Sequence, residues 1–371
     1  MGSSKIGRAF WVALFAWTAF TSGCGKRESA NTIAAIDSAI TARRDFSGVV
    51  LIARDGNVFY HRGFGFKNFV SKEPLDTGSI FELASVSKTF TSMIIMMLAE
   101  EGKLDYDDSL QQYIPELQYP GITIRHLLTH TSGLPDYQQV MERYWDKTKI
   151  AGNADNIAYL VRYRPPRNFL PGQKFEYSNT GYMLLASIAE RAAGRDFIDL
   201  CVEKIFRPLG MSKTGIRSRE QKVHLPDMSW GHLYVAEKET YVPADSFPEF
   251  NYAIWLGNRK GPGRVSASAA DLLRWDRALY TEALVPDRTI QLAFSPAQLN
   301  DGSVSNYGFG WFLDRHEQHG RIVYHTGDNP GLNTIFIRYL DKKLTFIILC
   351  NNAHGDFGEL VKELQAIVLV Q

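Results

Sequence analysis

The runs that read most plainly as β-strands stand at the two ends of this chain, and the long stretch between them reads as helix. Near the N-terminus, Val49-Val50-Leu51-Ile52-Ala53 and Val58-Phe59-Tyr60-His61 flank Arg54-Asp55-Gly56-Asn57. Two β-rich runs across an Asp-Gly turn predict a hairpin. Near the C-terminus, strands are expected at 307–313, 321–325, 334–339 and 344–350, the last two joined by a tight turn at Asp341-Lys342-Lys343. From about 104 to 250 the pattern is mainly helical, as in Tyr182-Met183-Leu184-Leu185-Ala186. Strands at both ends with helices between them imply an α+β fold. One antiparallel sheet is built from both termini and flanked by helices, and a mainly helical domain is inserted in the middle. The expected division is a sheet domain of 32–103 with 251–371, and a helical domain of 104–250.

Local signals add detail. Ile33, Ile36 and Ile40 recur at helical spacing, with Asn31 as the expected N-cap. A Ser268-x-x-Asp271 capping box opens a helix through Leu272, Leu273 and Trp275. A last amphipathic helix carries Leu360, Val361, Leu364, Ile367 and Val368. With 45% hydrophobic and 22% charged residues, the 371-residue chain has globular composition and length for about two domains. A net charge of +1 and the lack of a basic block argue against a nucleic-acid partner.

The first residues form a separate segment. Lys5 and Arg8 precede an apolar run at 9–20, followed by Thr21-Ser22-Gly23-Cys24. That order describes a secretory signal over 1–23, too short to span a bilayer as a mature helix. With Cys24 after Ser-Gly, it resembles a bacterial lipoprotein signal, cut just before the cysteine that takes the lipid. Plain secretion and an uncleaved anchor are the alternatives, and all three place the domain outside the cytoplasm, in the cell envelope or beyond. The linker, 24–31, reaches under about 30 Å, so a lipidated protein would sit close to its membrane. Cys201 and Cys350 lie in apolar surroundings and read as buried thiols.

The chemistry concentrates at Ser85-Val86-Ser87-Lys88, at the mouth of a helix as apolar as Met93-Ile94-Ile95-Met96-Met97-Leu98. Positions three apart share a helix face, so Lys88 lies beside Ser85 while Ser87 points away. A serine hydroxyl needs a base to become a nucleophile, and an amine in a half-buried cleft can lose its own proton. The expected place of Ser85 is the first turn, where free N–H groups favour developing negative charge. Alone, the pattern fits as well with a capping serine and a solvated lysine. Further along, Tyr177-Ser178-Asn179 stands just before a helix, and His325-Thr326-Gly327 ends a strand. Packed tyrosine, capping asparagine and strand-end histidine are the structural readings of these. His126 and His130 are four apart, but Leu127 replaces the glutamate of a zinc-protease helix and no third ligand is evident. They read as structural histidines, with no metal.

Together and in this order, Ser85-x-x-Lys88, Tyr177-x-Asn179 and His325-Thr326-Gly327 resemble the three motifs of the serine β-lactamase and penicillin-binding-protein superfamily. The likeness is greatest to the branch with class C β-lactamases, DD-peptidases, D-aminopeptidases and β-lactamase-like esterases. The segments 125–134, 206–211 and 307–311 resemble framework pieces of that family. The resemblance implies a β-lactamase/DD-peptidase-like fold and a serine hydrolase working through an acyl-enzyme. Ser85 would be acylated, Lys88 and Tyr177 would handle the proton, and Asn179 would bind Lys88 and substrate. The N–H groups of Ser85 and Asp328 would form the oxyanion hole. It implies no metal and no organic cofactor. Expected partners are a small-molecule ester or a D-amino-acid-containing peptide, peptidoglycan included, and a membrane through the lipid on Cys24. β-Lactam hydrolysis, and penicillin or peptidoglycan binding without turnover, are the alternatives.

Two positions depart from the family pattern. His325 replaces the lysine of class C enzymes, so no permanent positive charge is supplied there. At an ordinary pKa of about 6.5, activity is expected to rise near pH 6–7 as its imidazole becomes neutral. Asp328 puts an acid beside the oxyanion hole. Facing the cleft, it would repel carboxylates and tolerate neutral esters or free amines; turned to solvent, it would offer only its N–H.

Overall fold

The computed structural model describes Gly2 and residues 29–370. The expected signal, Cys24 and most of the linker lie outside the described residues. The first helix, α1 (Ala30–Thr41), begins inside the expected linker, and its N-cap is Ser29 rather than Asn31. Ser29 has the extended backbone a cap needs, and its hydroxyl accepts the Thr32 N–H at 3.1 Å.

Six antiparallel strands form the main sheet: β1 (Gly48–Arg54), β2 (Asn57–Phe64), β3 (Phe312–His316), β4 (Gly320–Asn329), β5 (Leu332–Tyr339) and β6 (Leu344–Cys350). Their order is β3-β4-β5-β6-β1-β2, so the two termini do meet, where Leu51 of β1 pairs with Ile347 of β6. Because β1 and β6 are interior and covered on both faces, they read as continuous apolar runs instead of alternating ones. Val49 and Leu51 face a core that takes in α2 (Lys88–Glu100) and α3 (Asn179–Ala193). Val50 and Ile52 face α1 and the final helix, α5 (Phe357–Leu369). Between them in sequence, α4 (Ala269–Ala278) opens as expected, with the Ser268 hydroxyl accepting the Asp271 N–H at 3.2 Å.

Burial of Met93, Ile94, Ile95 and Leu98 fixes α2 in the core. Each side chain of that size contributes about 1.5–3 kcal/mol when removed from water. Cys201 and Cys350 are buried free thiols. Among the described residues, no helix is long and apolar enough to cross a membrane.

Three expectations change. The strand expected at 307–313 starts only at Phe312, because Gly310 turns the chain at φ 83° against α2, near the Lys88 carbonyl and the Ser92 hydroxyl. The strand expected to stop at His325 continues to Asn329, since β5 offers partners for Thr326, Gly327 and Asp328. Within 104–250, Gly215–Ile216 pairs with one side of Val265–Ala267, and Phe81–Glu82 pairs with the other. A hairpin of His232–Val235 with Thr240–Pro243 also interrupts the helical pattern there. These short pairings are too brief to show a strand period in sequence.

Candidate active site

The entrance to α2 is pinned from below. Phe81–Glu82 hydrogen-bonds to Val265–Ala267, and the Leu83 N–H donates to the Val265 carbonyl at 2.8 Å. The chain then makes a 3₁₀ turn, Ala84–Ser87, before α2 starts at Lys88. Ser85 therefore sits in this lead-in turn and not in the first turn of α2. Ala84 holds a left-handed backbone at φ 47°, a conformation costly for a residue with a Cβ and common at functional sites. Ser87 has a structural task, its hydroxyl accepting the Val265 N–H at 3.1 Å.

The Ser85 side chain caps nothing, and Lys88 is fully buried. The capping-serine and solvated-lysine reading therefore fails. Nζ of Lys88 lies 3.0 Å from Ser85 Oγ, 2.9 Å from Asn179 Oδ1 and 2.9 Å from the Pro262 carbonyl. Three acceptors match the three N–H bonds of an ammonium, yet none carries a charge. Burial, aided by the positive Arg259, holds the Lys88 amine well below its ordinary pKa. A neutral amine there keeps two N–H donors for Asn179 and Pro262 and turns its lone pair to the Ser85 hydroxyl.

Tyr177 reaches the same point from the turn before α3. Its ring lies 4.8 Å from Lys88 Nζ and is 37% exposed, open to the cleft. Burial raises its phenol pKa, opposed by the hydrogen bond with Ser85, so the phenol stays protonated. Ser178, not Asn179, caps α3, which frees the Asn179 amide for Lys88. His130 holds this turn in place: its Nδ1 accepts the Ser178 N–H at 3.1 Å, and its ring lies 4.3 Å from that of Tyr177. His126 instead meets the Thr123 N–H at 3.1 Å. The two histidines serve separate local structures.

The third segment closes the cleft along β4. Pairing with β3 ends at Tyr324, so from His325 onward the outer edge of β4 is uncovered. Gly327 allows β4 to approach the serine turn; a Cβ there would run into the Leu83 carbonyl and the Thr334 hydroxyl. Thr326 and Asp328 are exposed. His325 is buried. Its Nδ1 contacts the Thr326 carbonyl at 2.6 Å, which can only accept, so Nδ1 carries the proton and Nε2 accepts from the Tyr307 hydroxyl at 3.0 Å. Burial is the main cause that lowers its pKa to about 3, and any charge on the neighbouring Lys88 would act in the same direction. The expectation of a titration near pH 6–7 is thus corrected. Burial raises the Asp328 carboxyl, whose charge is felt by Tyr252 and is not among those acting on Lys88 or Tyr177.

Ser85, Lys88, Tyr177 and Asn179 therefore converge, and His325 to Asp328 form the facing wall. Three participants escaped the sequence reading. Tyr307 was visible only as a framework residue. Nothing local marks the Pro262 carbonyl. Arg259 is one of three cations in a glycine-rich stretch, with Lys260 and Arg264, and nothing local singles it out.

Comparison with known proteins gives the same setting. A family model described as Beta-lactamase matches residues 35–369. Penicillin-binding protein 4* of Bacillus subtilis is 42% identical over 310 residues, 83% of this chain and 69% of that protein. A D-aminopeptidase of Gluconobacter oxydans is 27% identical over 82% of this chain, which spans only 55% of that longer protein. The octameric penicillin-binding protein homologue from Pyrococcus abyssi superposes with a TM-score of 0.76 at 24% identity, covering 92% of this chain and 76% of the other. The match over almost all of the described residues, together with a relative above 40% identity, shows that this chain belongs to the beta-lactamase family.

Proposed function

We propose that this protein is an exported serine hydrolase, tethered by a lipid on Cys24, that acts through an acyl-enzyme on an ester or a D-amino-acid-containing peptide. The observation that carries the reading is the buried Lys88 amine, 3.0 Å from Ser85 Oγ with only uncharged acceptors around it. Neutral Lys88 takes the Ser85 proton as Oγ attacks the substrate carbonyl. The N–H groups of Ser85 and Asp328 hold the oxyanion, where each such donor stabilises by about 3–4 kcal/mol. Protonated Tyr177 passes a proton to the leaving group. Water then attacks the acyl-enzyme, with the Tyr177–Lys88 pair as its base.

His325 refines the substrate class. Both ring nitrogens are engaged and the ring is neutral, so it offers neither charge nor a free donor to a carboxylate on the leaving-group side. That disfavours β-lactams and carboxypeptidase substrates. It favours esters and amides, in keeping with the D-aminopeptidase relative. The exposed Asp328 carboxyl on the cleft wall suits the free ammonium of a D-configured acyl residue. The basic, apolar and small-residue order from Lys5 to Cys24 supports export and lipidation, and radiolabelled palmitate retained by the wild type and lost in Cys24→Ala tests it.

The test of activity is a panel of D-alanine p-nitroanilide, its L-isomer, p-nitrophenyl acetate and a cephalosporin reporter. Turnover of the D-anilide or the ester, abolished in Ser85→Ala, supports the reading. A protein that turns over none of them, and whose mass is unchanged by a fluorophosphonate probe, is a binder instead.

A further inference from the structure

Past the catalytic wall lies a cavity of about 310 Å³, at the small end of ligand pockets. Its walls include Asn329 and Pro330 at the end of β4, Glu82, and the cations Lys222, Arg259 and Arg264. Asn329 follows Asp328 directly, a step of about 3.3 Å along the strand. Glu82 lies in the short strand that leads into the Ser85 turn, and its carboxylate accepts the Asn329 amide at 2.8 Å. The loop carrying Arg259 and Arg264 also carries Pro262, whose carbonyl holds Lys88. The cavity and the reacting serine thus share their walls.

The charges lining it do not balance. Four cationic side chains face two carboxylates: Lys222 pairs with Glu82 and Arg219 with Asp245. Arg259 and Arg264 are left over, and neither meets a carboxylate at ion-pair distance among the described residues. Arg264 is 6% exposed and donates to the Arg217 carbonyl at 2.8 Å. It is also held at φ 80°, a left-handed backbone that a non-glycine residue adopts at a cost. A buried guanidinium without its own ion pair, as at Arg264, is destabilising, and an incoming anion held by it and the half-buried Arg259 would offset that cost. Two carboxylates feel the Arg259 charge, Glu82 and Asp136, but Glu82 is already paired with Lys222 and neither meets Arg259 at ion-pair distance among the described residues.

We infer that this cavity is an acyl-side subsite for a carboxylate, occupied when the D-residue that acylates Ser85 carries a side chain ending in an acid. The inference rests on the hydrolase reading above and names its substrate class. Asp328 would hold the ammonium of that residue, and Arg259 with Arg264 would hold the distal carboxylate. The small volume fits a side chain of a few carbons.

The test compares p-nitroanilides of D-glutamate with D-glutamine, and of D-2-aminoadipate with its side-chain amide. Each pair differs by one charge at nearly constant shape. In the wild type the acid should exceed its amide in kcat/KM by about tenfold or more for at least one pair. In Arg264→Gln and in Arg259→Gln the ratio should fall towards one. The ratio cancels any change in reactivity common to both substrates, such as an altered Lys88. Arg259→Gln stands on ordinary backbone and carries the test if Arg264→Gln does not fold. A wild-type ratio near one for both pairs overturns the inference, as does a high ratio that survives both substitutions. D-Alanine p-nitroanilide and p-nitrophenyl acetate separate the two readings. If neither is turned over, the hydrolase reading fails, and calorimetric titration with free D-glutamate and D-glutamine then decides the subsite. Equal binding, or none, overturns it; tighter D-glutamate binding lost in Arg264→Gln or Arg259→Gln supports it.

Discussion

Nζ of Lys88 lies 2.9 Å from Oδ1 of Asn179, 91 positions away along the chain. An amide oxygen can hold an amine in place without adding charge, so nothing there counteracts the burial that pushes the amine towards its neutral form. This pairing separates a lysine able to accept a proton from one locked in a salt bridge.

Asn179→Asp should break that distinction. A carboxylate at the same position favours the ammonium and raises the Lys88 pKa, and each unit by which that pKa exceeds the pH removes about tenfold of the neutral amine. The acidic limb of the kcat/KM profile should move to higher pH, with activity at pH 7 down by about tenfold or more. An unmoved limb with unchanged activity would show that the Lys88 charge state does not matter.

For His325 the relevant window is acidic. Its folded pKa of about 3 lies below the unfolded value of about 6.5, so the folded protein refuses a proton that the unfolded chain accepts. Stability from this group is complete above pH 6.5 and declines as pH falls towards 3, by about 1.4 kcal/mol per unit. His130, also held down by burial, steepens the decline. Denaturant unfolding at pH 7, 6, 5 and 4 measures it. The His325 ring should show no NMR titration between pH 5 and 8, so it contributes no limb to the activity profile there.

The two serines of the turn should behave as opposites. Ser85→Ala abolishes acylation. Ser87→Ala leaves the buried Val265 N–H without its acceptor and costs about 1–3 kcal/mol of stability, while turnover survives. Thermal unfolding beside active-site labelling distinguishes the two effects.

Arg338 and Asp276 form an ion pair of 2.6 Å with side chains 0% and 1% exposed, joining β5 to α4 under the sheet. Removing one partner leaves an uncompensated buried charge, so Asp276→Asn or Arg338→Met should cost about 3–5 kcal/mol. The double variant should recover part of that loss, and denaturant titration of the three proteins checks it.

Much of the layout was legible because its signals are local. The Asp-Gly hairpin, the Ser268 cap and the apolar runs of β1 and β6 each depend on neighbours in sequence. The serine and lysine of the opening motif are three residues apart, close enough for helical geometry to pair them. The illegible parts depend on distant partners. β4 extends through Asp328 because β5 lies beside it, and 307–311 stays irregular because Gly310 turns against α2. Ser29 took the cap from Asn31 because its extended backbone could present a hydroxyl to Thr32.

By itself the sequence determined which groups were present and which neighbours they had: a serine one turn from a lysine, and a histidine where relatives carry a cation. Tertiary structure decided their charge. Lys88 is pushed towards the neutral amine and His325 is locked neutral because the packed core strips water from both, and desolvation depends on what surrounds a group in space. The same packing gathered Arg259 and Arg264 beside Asn329 with too few carboxylates, an imbalance that a chain of net charge +1 does not reveal.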